Sequence, residues 1–131
     1  MPLIDHLSLG ISDVDDARAF YDGIMSCLGY KCLSSSERAA TYGENRVEFL
    51  LLKPFDGGAP SGGNGTHIGF SAATREIVDR CYDLALKAGG TDEGAPGVRE
   101  RYPMPDVYTA YVRDIYGNKL EFIHNGFSVE R

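Results

Sequence analysis

Three observations predict an α+β domain built as two βαβββ modules, whose strands form a curved mixed-sheet cup with helices on its outer face. Two alternating stretches that begin on or near a histidine, "HLSLGIS" at 6–12 and "THIGFSA" at 66–72, repeat in the same phase. Each precedes an amphipathic stretch of helical period that closes on glycine. Two near copies of a glutamate strand, "GENRVEF" at 43–49 and "GNKLEF" at 117–122, then close the halves. A repeat of about sixty residues is one supersecondary unit rather than a solenoid turn. The 131 residues therefore hold two units in one domain: module 1 at about 1–53, a linker at 54–65 and module 2 at about 66–131.

In the first strand Leu7, Leu9 and Ile11 alternate with His6, Ser8 and Gly10, the pattern of a half-buried strand. Ser12 or Asp13 is placed to cap the following helix, whose Val14, Ala17, Phe20, Tyr21, Ile24 and Leu28 fall at helical spacing before Gly29. Strand-like stretches follow at about 30–35, 38–42 and 46–53. "PFDGGAPSGGNG" at 54–65 is turn-rich and lacks the Gly-Lys-Ser/Thr ending of a phosphate loop, so it reads as a connection. In the second half Ile68 and Phe70 oppose His67, Gly69 and Ser71. A helix is expected over about 74–88, with an apolar stripe of Ile77, Val78, Cys81, Leu84 and Ala85, and strands near 97–102, 107–113 and 119–124.

Composition excludes several function classes. A formal charge of −6, with 13 basic residues spread along the chain, does not provide the cationic surface that nucleic acid requires. No segment reaches the roughly 18 apolar residues of a spanning helix, and "MPLIDHLSLG" lacks the basic start of a secretory leader. A soluble cytoplasmic protein with a small-molecule partner is expected. Cys27, Cys32 and Cys81 form no CxxC pair and no even set, so they are expected to be reduced core thiols.

The repeated glutamate needs a physical reason, because a carboxylate inside an apolar strand is costly to bury without a partner. Period-2 geometry turns Glu48 away from Val47, Phe49 and Leu51, and Glu121 away from Leu120 and Phe122. Should that face be the concavity that holds His6 and His67, two imidazoles and two carboxylates converge, a donor set suited to one divalent metal. The competing reading uses Arg46 and Lys119, which share a strand face with their glutamates and could form ordinary ion pairs. One histidine and one glutamate per half, at matching strand positions, favours the metal.

The stretches "DHLSLGISDVDDARAFYDGIMSCLGY", "GTHIGFSA" and "YVRDIYGNKLEFI" resemble the vicinal oxygen chelate superfamily, which includes glyoxalase I, bleomycin-resistance proteins and extradiol dioxygenases. The resemblance implies a cup-shaped sheet with metal ligands on the first and fourth strands of each module. Carried over by position, these are His6, Glu48, His67 and Glu121, a pattern similar to that of bacterial glyoxalase I. It further implies a divalent metal, nickel or zinc first and iron, cobalt or manganese after them, acting on a substrate that chelates through neighbouring oxygens. In a glyoxalase-like isomerisation to a thioester, Glu121 would be the base and Glu48 would assist. A thiol conjugate is then among the substrates, although no glutathione-binding set can be placed.

Two further activities follow from the same resemblance: a non-catalytic small-molecule binder like the bleomycin-resistance proteins, and an extradiol-type dioxygenase using two His and one Glu, which leaves Glu48 surplus. A homodimer is the default expectation, with modules pairing within one chain or between two. His124 falls on the strand face opposite Glu121. Tyr102, Tyr108 and Tyr111 are candidates to line a pocket, and Arg99, Arg101 and Arg113 to bind an anionic group.

Overall fold

The computed structural model describes residues 1–131. Its elements run β1 (Leu7–Gly10), α1 (Val14–Leu28), β2 (Lys31–Ser35), β3 (Ala39–Gly43) and β4 (Phe49–Leu52). The second module repeats the order with β5 (Ile68–Ser71), α2 (Arg75–Lys87), β6 (Thr91–Val98), β7 (Tyr108–Arg113) and β8 (Lys119–His124). Asp13 caps α1, accepting from the Asp16 amide at 2.8 Å, and Thr74 caps α2, accepting from the Ile77 amide at 3.1 Å. These side chains satisfy amides that the first helical turn leaves without partners.

Two unclosed four-stranded sheets result, ordered β1-β4-β3-β2 and β5-β8-β7-β6. In each, the outer strand β1 or β5 runs parallel to the last strand of its module, and the remaining pairs are antiparallel. The α+β class and the double βαβββ order are as the sequence implies. No strand of one sheet is hydrogen-bonded to a strand of the other, so one chain does not join its modules into a single sheet.

One strand lies elsewhere than expected. β6 occupies Thr91–Val98 rather than 97–102. "TDEGAPGV" has no alternation, and its pairing with β7 is interrupted by register shifts between Asp92 and Gly94 and between Gly94 and Gly97. Backbone pairing with β7 makes this strand, and side-chain period does not reveal it. Residues 99–107 then form the loop to β7, closed by the Arg99 amide donating to the Val107 carbonyl at 3.3 Å.

Each sheet has a helix face and an open face. Phe49 and Leu51 of β4, and Leu120 and Phe122 of β8, turn to the helix face and are buried. One apolar core joins these faces: α1 lies against α2, the Phe49 and Phe70 rings are 5.2 Å apart, and Phe70 stacks on Phe122 at 6.3 Å. Polar bonds lock the same junction. The buried Asp114 accepts from the Tyr21 hydroxyl at 2.5 Å, and Asn118 Nδ2 donates to the Gly10 carbonyl at 3.0 Å. The modules therefore meet through their helix faces, and the open faces are left outside the shared core. No helix is long and apolar enough to cross a membrane. The three cysteines are free thiols, with Cys81 buried and Cys27 and Cys32 half-buried.

Candidate functional site

The open face of the second sheet is a grid whose rows are fixed by register. Tyr111 of β7 stands opposite Glu121 of β8, which stands opposite Gly69 of β5. Gly94 of β6 faces Tyr111 from the other side. One row along lie Arg113 and Lys119, with His67 just before β5 continuing that row. The row on the other side holds Gly97, Thr109, Ile123 and Ser71.

Glu121 is the centre of this grid. Its side chain is only 5% exposed, yet its carboxylate is well supplied with donors. Thr109 Oγ1 donates to Oε2 at 2.6 Å, the Tyr102 hydroxyl donates to the same oxygen, and His67 Nε2 lies 3.3 Å from Oε1. A carboxylate buried without such bonds would cost several kcal/mol, and these contacts offset that cost. Gly69 makes the approach possible, since a Cβ there would sit 3.4 Å from Oε1. Tyr102 also meets the Tyr111 hydroxyl, which links the 99–107 loop to β7. Burial, followed by the bond to Glu121, pushes the Tyr102 hydroxyl well above the usual phenol range, so it stays protonated and donates. Burial raises Tyr111 as well.

The corresponding face of the first sheet is built differently. His6 and Glu48 stand opposite each other just before β1 and β4, where the Leu7 amide donates to the Glu48 carbonyl at 3.1 Å. Both are open to solvent, His6 at 55% and Glu48 at 43% side-chain exposure. His6 Nδ1 pairs with Asp5 at 2.7 Å, and Glu48 lies 3.6 Å from Arg46.

The register corrects the expected match between the two glutamates. Leu7 pairs with Phe49 and Ile68 with Leu120, so the position of Glu121 in the second module corresponds to Leu50 in the first, and that of Glu48 corresponds to Lys119. The glutamates share a strand face, as alternation implies, but they are two residues out of step, about 6–7 Å along a strand. A slip of two is invisible to a period of two.

Of the four expected ligands, the chain joins His67 to Glu121, while His6 and Glu48 pair with Asp5 and Arg46 instead of with each other, and the four do not converge. No three His, Cys, Asp or Glu side chains lie where one ion could join them, whereas a metal of this kind takes three or four protein donors. With Leu50 in the place of a second buried carboxylate and Glu121 already holding three protein partners, the residues of one chain do not fit a four-ligand centre.

Of the other candidates, Tyr102 and Tyr111 join the site. Tyr108 turns to the helix face, donating to Asp79 at 2.6 Å beneath the Arg75 guanidinium. Arg113 is taken up by Glu93 at 2.5 Å and the Gly117 carbonyl at 2.8 Å. His124 bonds the Ala72 carbonyl at 3.1 Å, away from Glu121. Thr109 joins the site as well; it shares the period-2 face of Tyr111, the one sequence signal that points to it. A cavity of about 200 Å³ lies between the modules, walled mainly by Leu7, Met25, Phe49, Ile68 and Phe70. Glu48 is its one charged wall residue, and neither His67 nor Glu121 reaches it.

Comparison with known proteins agrees with this fold. The family model of the Glyoxalase/Bleomycin resistance protein/Dioxygenase superfamily matches residues 3–122, and the chain belongs to that superfamily. Among solved structures it is similar to a glyoxalase/bleomycin resistance protein from Albidiferax ferrireducens T118, at 28% identity and a TM-score of 0.85, covering 95% of this chain and 100% of that one. A glyoxalase-related enzyme from Fulvimarina pelagi shares the fold at 17% identity and a TM-score of 0.73, over 95% of this chain and 89% of that one. Lactoylglutathione lyase from Agrobacterium tumefaciens shares it at 22% identity and a TM-score of 0.66, over 99% and 100%. No curated protein matches the chain by sequence.

Proposed function

We propose that this chain is a small-molecule-binding member of the superfamily, that its working surface is the open face of the second sheet, and that it holds its ligand without a resident metal. The observation that carries this reading is the setting of Glu121. A nearly buried carboxylate is fixed by groups from three separate segments, the 99–107 loop, β7 and the residue before β5. The first module has Leu50 at the corresponding place. Polar groups fixed in this way orient a ligand, and the flanking glycines leave room for it. His67, 42% exposed, presents the accessible edge of the cluster.

The test uses protein purified without added metal. Elemental analysis is expected to find far less than one equivalent of any divalent metal, and chelator is expected to leave the melting temperature unchanged. Near-stoichiometric metal, whose removal lowers the melting temperature and whose return restores it, would overturn the reading.

A second reading, a divalent-metal glyoxalase-like lyase on nickel or zinc with Glu121 as base, is favoured by the 3.3 Å approach of His67 to Glu121. It requires a homodimer in which His6 and Glu48 of one copy meet His67 and Glu121 of the other. The same elemental analysis decides between the two.

A further inference from the structure

Beside Glu121, the open face of the second sheet carries two cations that form no direct ion pair with a carboxylate. Arg99 folds back over β6: its Nη2 donates to the Ala95 carbonyl at 2.7 Å, and it forms no ion pair with any carboxylate. The fold makes room for it. A Cβ on Gly94 would lie 3.2 Å from Arg99 Nη2, and a Cβ on Gly97 would lie 3.2 Å from Nη1. The same Gly94 Cβ would sit 3.5 Å from the Tyr111 ring, so guanidinium and ring flank one point above β6. Lys119 Nζ stands 5.1 Å from the centre of that ring, and it too lacks an ion pair. The carboxylates nearby are already engaged, Glu93 by Arg113 and Glu121 by its three donors.

Arg99 and Lys119 flank one tyrosine against a single free carboxylate charge, that of Glu121, whose hydroxyl donors leave it ionic. One positive charge is therefore left over on this face and favours an anion. A guanidinium held by a single backbone bond keeps most of its five donors for a planar, bidentate partner. Building on the proposed binding role of this face, we propose that its ligand carries a carboxylate held by Arg99, with Lys119 adding charge and the Tyr111 ring lying beside it. Arg99 is the specificity-determining residue, and Gly94 and Gly97 are the backbone that positions it.

The experiment compares benzoate with benzamide, which have the same ring and differ in charge, by thermal shift and titration calorimetry on the intact protein. Benzoate is expected to bind at least tenfold more tightly than benzamide, and inorganic phosphate is expected to compete with it. Arg99→Met is expected to remove that preference and Arg99→Lys to restore part of it, while Arg101→Met leaves it unchanged. Equal binding of the two probes would overturn the carboxylate assignment and leave the binding role standing. No binding of either probe would overturn both. Should Arg99→Met fail to fold, phosphate competition in the unaltered protein still decides, and a benzoate affinity indifferent to phosphate would sink the assignment.

Discussion

Module 1 and module 2 share an element order, a sheet topology and a core, yet their open faces carry different side chains at corresponding positions. Thr41 and Leu50 in the first stand where Tyr111 and Glu121 stand in the second, and Gly43 and Glu48 stand where Arg113 and Lys119 stand. His6 and His67 alone keep their type at this end of the grid. The helix faces are under one constraint, because both must bury apolar side chains against the same core. The open faces are under none, so one can remain plain and solvated while the other gathers a buried carboxylate, two tyrosines and free cations. Duplication supplied the frame twice, and the candidate chemistry occupies one copy of it.

The largest expected effects test the likeness of the halves. Leu51→Ala in β4 and Phe122→Ala in β8 remove fully buried side chains, and each is expected to cost about 2–5 kcal/mol in denaturant unfolding. Because one core joins the modules, a single cooperative transition is expected in both variants. Two separated transitions would show the modules to be independent.

The difference between the halves is tested next by Glu121→Leu, which gives the second face the residue of the first. It takes the carboxylate acceptor from the Thr109 and Tyr102 hydroxyls, at a cost of about 1–3 kcal/mol, and it is expected to weaken ligand binding by releasing the 99–107 loop that carries Arg99. Leu50→Glu, on the half-buried first face, should change both much less. Comparable losses from the two substitutions would show that the second face is not special.

Alkaline pH sharpens the same point. Tyr21, Tyr42, Tyr102 and Tyr111 are all raised above the ordinary phenol value of 10.0, with burial the largest cause in each. A raised folded-state value favours the protonated form in the native protein. The stability these groups contribute is therefore complete below about pH 10 and is lost as pH rises beyond it. The denaturation midpoint should fall above pH 10 together with the appearance of phenolate absorbance. Tyrosines that titrate freely near 10 without unfolding would contradict the buried network.

The smallest effect is expected from Arg46→Ala, which removes the solvent-exposed partner of Glu48. A change of no more than about 0.5 kcal/mol follows from the weakness of exposed ion pairs. A larger loss would mean that Glu48 matters more to the first face than its exposure indicates.

The sequence by itself determined the elements whose side chains have a period: α1 and α2, the histidine strands, the strand of Glu121, and the twofold repetition of the chain. It also settled which face Glu121 uses, because alternation fixes a face. It did not place β6, where glycine and proline break the alternation and only pairing with β7 makes a strand. Nor could it align Glu48 with Glu121, since register along a strand is set by the partner strand, and a shift of two residues leaves every face unchanged. The union of Tyr102, Thr109 and His67 on one carboxylate, and the separation of His6 and Glu48 from His67 and Glu121, were decided by tertiary structure alone. Both depend on which sheet faces pack together, and that is a property of the whole buried core rather than of any local stretch of chain.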